Sequence, residues 1–279
     1  MSVIIKSPVI ESWLGKADPF EKIKAIQGKV VRSKEGRTTQ RFDIGANGFY
    51  VKLHEGIGWW EIIKNLLQLK LPITGASNEW LAINALHKLG LDTLTAVAYG
   101  RRGLNPAKQQ SFILTKELTG TISLAQYAER WPERPPSFAH KKAIIEKVAQ
   151  ITRVMHNSGI NHRDLYLCHF LMDIVTGEIL TDKDKIRMFV VDLHRAQIRQ
   201  QVPRRWLIKD IGSIYFSAMD IGLTQRDAYR FIKAYTDLPL KEAIKNHPVF
   251  WEDVTKRASS LYLRDWKQKA PELFGNQNK

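Results

Sequence analysis

The sequence predicts an α+β fold of two apposed lobes, the first rich in strands and the second mainly helical. Three observations carry that expectation. Short β-prone runs separated by turn residues crowd residues 29–118, long amphipathic segments dominate from residue 139 onward, and no Gly/Ser linker, repeat or low-complexity block intervenes. With 279 residues, 44% hydrophobic and 25% charged, the chain can bury a substantial core and does not resemble a disordered one. The boundary is placed between 1–116 and 117–279.

Asp18-Pro19-Phe20-Glu21 reads as a capped helix start with proline at the first helical position, and Gly28 follows that short helix. Three strands come next, at residues 30–32, 37–44 and 49–54, joined by the turns Ser33-Lys34-Glu35-Gly36 and Gly45-Ala46-Asn47-Gly48. Residues 59–71 repeat apolar side chains at helical spacing and stop before Pro72; a second helix covers 77–89 and ends at Gly90. Residues 93–99 and 111–118 read as strands. A long helix at 139–158 carries Ile144, Val148, Ile151 and Met155 on one face and stops at Gly159. Two short apolar runs, 170–174 and 186–193, flank a polar insert, and helices follow at 205–220, 224–235 and about 250–269.

Composition excludes several classes. The single cysteine, Cys168, rules out a disulfide framework and a multi-cysteine zinc site. The longest uncharged stretch, 118–128, is far short of a membrane span, and charges interrupt residues 1–20 where a signal peptide would need an apolar core, so the expected location is the cytosol. Forty-three Lys and Arg against 28 Asp and Glu leave a net charge of +15, which favours an anionic partner. Nucleic acid is not expected, because no aromatic and basic platform of a known type is present.

No phosphate loop of the GxxxxGK[ST] kind, no GxGxxG, no GxSxG and no HExxH occurs. The strongest local signal is Asn161-His162-Arg163-Asp164, set between a long helix and a short strand, where protein kinases hold the aspartate that takes the proton of an attacking hydroxyl. Taken alone, His162-Arg163-Asp164 fits equally an Asp164 that satisfies backbone donors in a turn. Asp192 ends an apolar run, where a carboxylate suits Mg²⁺ against nucleotide phosphates; a turn-making aspartate is the plain alternative. Lys52, on a middle strand, would neutralise phosphates, with Glu79 in the first turn of the following helix as its partner. Singly these would be a solvated strand lysine and an acid favoured by the helix dipole. Their order along the chain is what argues for chemistry. Asp210, entering a buried helix, is expected to accept hydrogen bonds from the catalytic loop and hold it rigid.

The run Asn161-His162-Arg163-Asp164-Leu165-Tyr166-Leu167-Cys168-His169-Phe170-Leu171 closely resembles the lipopolysaccharide core heptose(I) kinase family of Gram-negative bacteria. So do Val191-Asp192-Leu193-His194-Arg195-Ala196-Gln197, Val202-Pro203-Arg204-Arg205-Trp206 with Lys209-Asp210, and residues 220–227; earlier, Asp18-Pro19-Phe20, residues 62–67 and Gly75-Ala76 with Glu79-Trp80 fit too. The resemblance spans about residues 18–240. It implies a bilobal protein-kinase-like fold and ATP-dependent phosphorylation of the first heptose of the lipopolysaccharide inner core. It also implies Asp164 as catalytic base, Asp192 as Mg²⁺ ligand, and Lys52 on the phosphates with Glu79 pairing it; Arg163 joins Asp210 as an expected support of the loop.

Two positions depart from ordinary protein kinases. The first hairpin has only Gly36 at its tip, leaving phosphate cradling to backbone or to Arg32 and Arg37. His169 stands where asparagine is usual, five residues after Asp164; it is a candidate metal ligand, although imidazole suits Mg²⁺ poorly and a local hydrogen bond is the plainer role. Arg195, Arg199, Arg204, Arg205 and Lys209 follow the metal-site aspartate closely and are assigned to binding an acidic acceptor, a lipid-linked lipopolysaccharide core at the inner membrane surface. The protein would then be peripheral to that membrane. Trp59, Trp60, Ile62, Ile63, Leu66 and Leu67, interleaved with Lys64 and Lys70, are expected to pack in the core, with lipid or an acyl-carrying partner as the alternative. An acidic acyl carrier protein is compatible with the charge. The competing functions are a protein-tyrosine or small-molecule kinase on the same fold, or a non-catalytic kinase-like binding module.

Overall fold

The structure is a computed structural model, and it describes residues 1–34, 36–56, 58–67, 75–267 and 270–271. The chain forms two compact units. The first gathers Met1–His87, Leu94–Thr119 and Asp192–Arg195; the second gathers Lys88–Thr93, Gly120–Val191 and Ala196–Lys279. Thus Asp192 to Arg195, late in the chain, belongs to the strand-rich first unit.

The first unit is built on a six-stranded antiparallel sheet in the order β1-β5-β6-β4-β3-β2, from β1 (Ser2–Ile5), β2 (Lys29–Lys34), β3 (Arg37–Ile44), β4 (Asn47–His54), β5 (Ala96–Arg102) and β6 (Gln110–Lys116). Side chains alternate across each strand. In β4, Phe49, Val51 and Leu53 therefore enter a core with Ile10 and Leu14 of α1 (Pro8–Leu14) and Phe20 and Ile23 of α2 (Pro19–Lys24). Asp18 caps α2 by accepting from the amides of Phe20 and Glu21 at 2.8 and 3.1 Å. Lys52 and His54 alternate with that set and point to the opposite face, on the side of α4 (Ser77–Lys88).

Helix α3 spans Gly58–Leu67; the expected continuation to residue 71 lies outside the described residues. Its expected core packing is corrected here. Ile62 is buried, but Trp59, Trp60, Ile63 and Leu67 are exposed. The sequence pattern shows which residues share a face of a helix, and it is silent on whether anything covers that face.

The second unit is mainly helical. It contains α5 (Leu124–Ala128), α6 (Phe138–Asn157), α7 (Arg204–Ser217), α8 (Gln225–Thr236), α9 (Leu240–Lys245) and α10 (Pro248–Trp266). A three-stranded sheet runs β10-β9-β7, from β7 (Thr121–Ser123), β9 (Phe170–Asp173) and β10 (Met188–Val190), and β8 (Ile160–Asn161) pairs with β11 (Gln197–Ile198). Ile144, Val148, Ile151 and Met155 of α6 are all buried, as their spacing requires. Thr224 and Asp227 form a complete capping box at the start of α8.

Candidate active site

Lys52 sits mid-sheet, opposite Thr39 of β3 and Ile113 of β6, so its backbone is locked on both sides. Its ammonium lies 2.7 Å from Glu79 Oε1 and 3.5 Å from Asp192 Oδ1. Glu79, in the first turn of α4, is fully buried. Burial alone would pull the lysine pKa down, but the Glu79 and Asp192 carboxylates outweigh it and raise it, so Lys52 stays charged. Lys52 is thus a partly buried cation that two carboxylates keep charged.

Asp192 adopts a left-handed backbone at φ +61°, unusual for a residue with a Cβ. His194 Nδ1 lies 2.6 Å from Asp192 Oδ1 and fixes the rotation of that carboxylate. His54 is 4% exposed, and its Nε2 has no hydrogen-bond partner among the described residues. Burial first, then the positive field of Arg37, Lys52 and His194, pushes its pKa down to about 3.

In the second unit the catalytic-loop candidate begins where α6 stops. Gly159 has φ +76°, and a Cβ there would lie 1.8 Å from the Arg199 carbonyl oxygen, so only glycine permits this close pairing of β8 with β11. Asp210 of α7 has no solvent exposure, and its carboxylate accepts from the amides of His162 at 2.6 Å and Arg163 at 2.7 Å. These bonds hold Arg163 at φ +76°, its guanidinium 4.8 Å over the Trp206 ring. His162 donates from Nε2 to the Val191 carbonyl at 2.9 Å and stacks on His169. His169 in turn donates from Nδ1 to the carbonyl of Asp164 at 2.7 Å, the local role that its chemistry favours over a metal bond. The Asp164 side chain is 19% exposed, with the Lys209 ammonium 3.7 Å from Oδ1. Its backbone is thus braced while its carboxylate reaches solvent.

The assigned acceptor arginines have separate local engagements. Arg199 donates to Asn161 Oδ1 and Gln197 Oε1, both at 2.7 Å. Arg204 pairs with Asp253 at 2.6 Å, and the Arg205 guanidinium lies 5.1 Å from the Trp206 ring centre. Arg195 belongs to the first unit. Lys209, grouped with these cations in the sequence, stands beside Asp164 instead. His54 and His194 are contributions that motif spacing does not announce; each lies two residues from a charged site residue, which is the one signal the sequence holds.

Among the described residues, no group of three or more His, Cys, Asp or Glu side chains is arranged to hold a metal ion. The donor chemistry that fits Mg²⁺ is the hard carboxylate of Asp192, which would hold the ion alongside phosphate oxygens and water.

The model of the lipopolysaccharide kinase (Kdo/WaaP) family matches residues 21–235. The chain belongs to that family. The lipopolysaccharide core heptose(I) kinase WaaP of Pseudomonas aeruginosa is 47% identical over 278 residues, covering 98% of this chain and 100% of that one. The protein of the same name from Escherichia coli K12 is 46% identical over 87% of this chain and 90% of its own. A solved structure described as WaaP in complex with acyl carrier protein superposes with a TM-score of 0.81 at 41% identity, over 94% of this chain and 100% of that one. The fold of this Kdo/WaaP-family chain is accordingly α+β and kinase-like, and its activity is that of a phosphotransferase.

Proposed function

We propose that this protein transfers the γ-phosphoryl group of ATP to a hydroxyl of the first heptose of the lipopolysaccharide inner core. The observation that supports this reading most is the placement of Lys52 between Glu79 and Asp192, three residues far apart in the chain that meet within 3.5 Å. That arrangement suits a triphosphate and a divalent cation. The near-full-length similarity to enzymes named as heptose(I) kinases points to the acceptor.

In this reading Asp164 accepts the proton of the attacking heptose hydroxyl as its oxygen bonds to the γ-phosphorus. The bond from that phosphorus to the β,γ-bridging oxygen breaks, and ADP leaves. Lys209, 3.7 Å from Asp164, places positive charge beside the incoming oxygen. Lys52 stabilises the phosphate charge, Glu79 holds Lys52, and Asp210 keeps the loop amides in place. Asp192, its carboxylate oriented by His194, would hold Mg²⁺, which would supply charge neutralisation on the phosphates. Arg195, Arg199, Arg204 and Arg205 serve acidic groups of the acceptor.

An acyl carrier protein is the proposed protein partner. The net charge of +15 suits an acidic carrier. In addition, the second unit holds an apolar cavity of about 420 Å³, lined by Leu124, Ile144, Val148, Ile211, Ile214 and Trp251, which matches an acyl chain. The proposed location is the cytoplasmic side of the inner membrane. No helix among the described residues is long and apolar enough to cross a membrane.

The test is phosphate transfer from ATP with Mg²⁺ to purified core oligosaccharide, read by mass spectrometry, with tyrosine peptides as the competing acceptor. Transfer to heptose is expected with the wild type, and Asp164→Ala should reduce it by roughly 10²–10⁴ while the melting transition is kept. Transfer to peptide alone, or a fully active Asp164→Ala, would overturn the assignment.

A further inference from the structure

Helix α3 carries an apolar face that phosphoryl transfer does not use. Trp60 and Leu67 are 78% and 80% exposed, and Trp59 and Ile63 are about half exposed. Positions 60, 63 and 67 follow the i, i+3, i+7 rule, and Trp59 joins Ile63 at i+4, so the four make one stripe along the helix. Ile62, on the other side, is buried and anchors the helix to the unit. Adjacent tryptophans left open to water at the start of a helix are costly and seldom found scattered on a monomer surface.

The setting of α3 adds charge and a further apolar group. The amide of Gly58 donates to the Ala107 carbonyl at 3.0 Å, and Gly36 packs so close to Gly56 that a Cβ would lie 2.4 Å from the Gly56 oxygen. Helix α3 therefore leaves the sheet beside the β5–β6 loop and the β2–β3 turn. The β5–β6 hairpin presents Leu104, 97% exposed, together with exposed Arg101 and Lys108. Lys64 lies on α3 itself, one turn after Trp60. The acidic Glu55 nearby is occupied by Lys24 at 3.4 Å.

We propose that this face of α3, with Leu104 and the flanking lysines, seats the protein on an anionic phospholipid bilayer. Indole rings prefer the boundary between head groups and acyl chains, and aliphatic side chains beside them enter the hydrocarbon edge. Lys64 on the helix and Lys108 on the neighbouring loop would meet the phosphates of anionic lipids, and a chain of net charge +15 is drawn to that surface from a distance. A convex stripe with two large rings suits a yielding lipid surface. The purpose of the contact, bringing the enzyme to a lipid-linked acceptor, rests on the heptose-kinase reading; the contact itself rests on exposure and charge.

The full-length protein is tested by flotation with vesicles of phosphatidylglycerol and phosphatidylcholine, and with vesicles of phosphatidylcholine alone. Wild-type protein is expected to float with the anionic vesicles and to partition at least about tenfold less onto the neutral ones. The double substitution Trp59→Ser with Trp60→Ser should lower partition onto anionic vesicles by about tenfold or more, and Leu67→Ser, at the far end of the stripe, should lower it less. Both variants should keep the wild-type melting transition and the wild-type kcat/KM on soluble, lipid-free core oligosaccharide. Equal flotation of wild type and double variant overturns the proposal, as does a wild type that ignores anionic vesicles. So does a double variant that floats normally but no longer binds acyl carrier protein. If the wild type transfers no phosphate to any core, the heptose-kinase reading falls, while flotation still decides the surface.

Discussion

At Lys52 opposing effects meet on one ammonium group. Desolvation disfavours its charge, and two carboxylates within 3.5 Å restore it. Glu79 has no access to water, so its charge is tolerable only while Lys52 answers it. Replacing it with glutamine keeps the shape and removes the charge, leaving Lys52 with Asp192 alone. Glu79→Gln should cost about 1–3 kcal/mol of stability, measured by denaturant unfolding. The same substitution should raise KM for ATP by roughly tenfold with a smaller effect on kcat, because Asp164, the proposed base, is untouched. Unchanged stability and unchanged KM would show that Asp192 alone holds Lys52. The sequence pointed to this trio because a strand lysine, a first-turn glutamate and a strand-end aspartate occur in a recognisable order. It offered nothing comparable for His194, whose bond to Asp192 sits beside a left-handed backbone that aspartate tolerates better than most residues but does not by itself announce.

Strand β4 shows how an element carries chemistry on one face and packing on the other. Phe49, Val51 and Leu53 supply the core, and Lys52 and His54 share the opposite face. With its pKa near 3 in the fold and near 6.5 in the unfolded chain, His54 is neutral when folded across that whole interval. Below pH 6.5 the unfolded chain takes up a proton that the folded chain refuses. The contribution to stability is therefore complete above pH 6.5 and is lost progressively as pH falls toward 3. Between pH 7 and pH 5 the wild type should lose about 2 kcal/mol more than a His54→Gln variant, read from urea unfolding at each pH. Identical pH slopes would remove His54 from the balance. The long elements were readable in the sequence because amphipathic period and stop signals agree, as in α6, with its apolar face and its Gly159 stop. The pieces that were not readable are short or lack a period: β1, α1, β7, α5 and α9 are each seven residues or fewer. Strand β5 was expected at 93–99 and begins at Ala96, because Thr93 instead bridges to Val190.

At the scale of the whole molecule the dominant feature is the excess of 43 basic over 28 acidic residues. It is distributed along the chain, so it acts as a field more than as a patch. The ligands proposed here are anionic: a nucleotide triphosphate, a core oligosaccharide with acidic sugars, and a phospholipid surface. A long-range field speeds and strengthens encounters with such ligands and is screened by salt, whereas the short contacts of Asp164, Asp210 and Lys52 are partly or wholly buried and are screened much less. Ionic strength should thus separate capture from chemistry. Raising NaCl from about 50 to about 300 mM is expected to raise KM for the acidic core several-fold while kcat changes by less than about twofold. A core stripped of its acidic sugars should show a clearly weaker salt dependence, since it meets the same field with less charge. Steady-state rates on the two acceptors at saturating ATP measure both effects. A KM for the acidic core that stays flat across this range would mean that local hydrogen bonds alone select the acceptor, and that the excess charge serves another anionic surface.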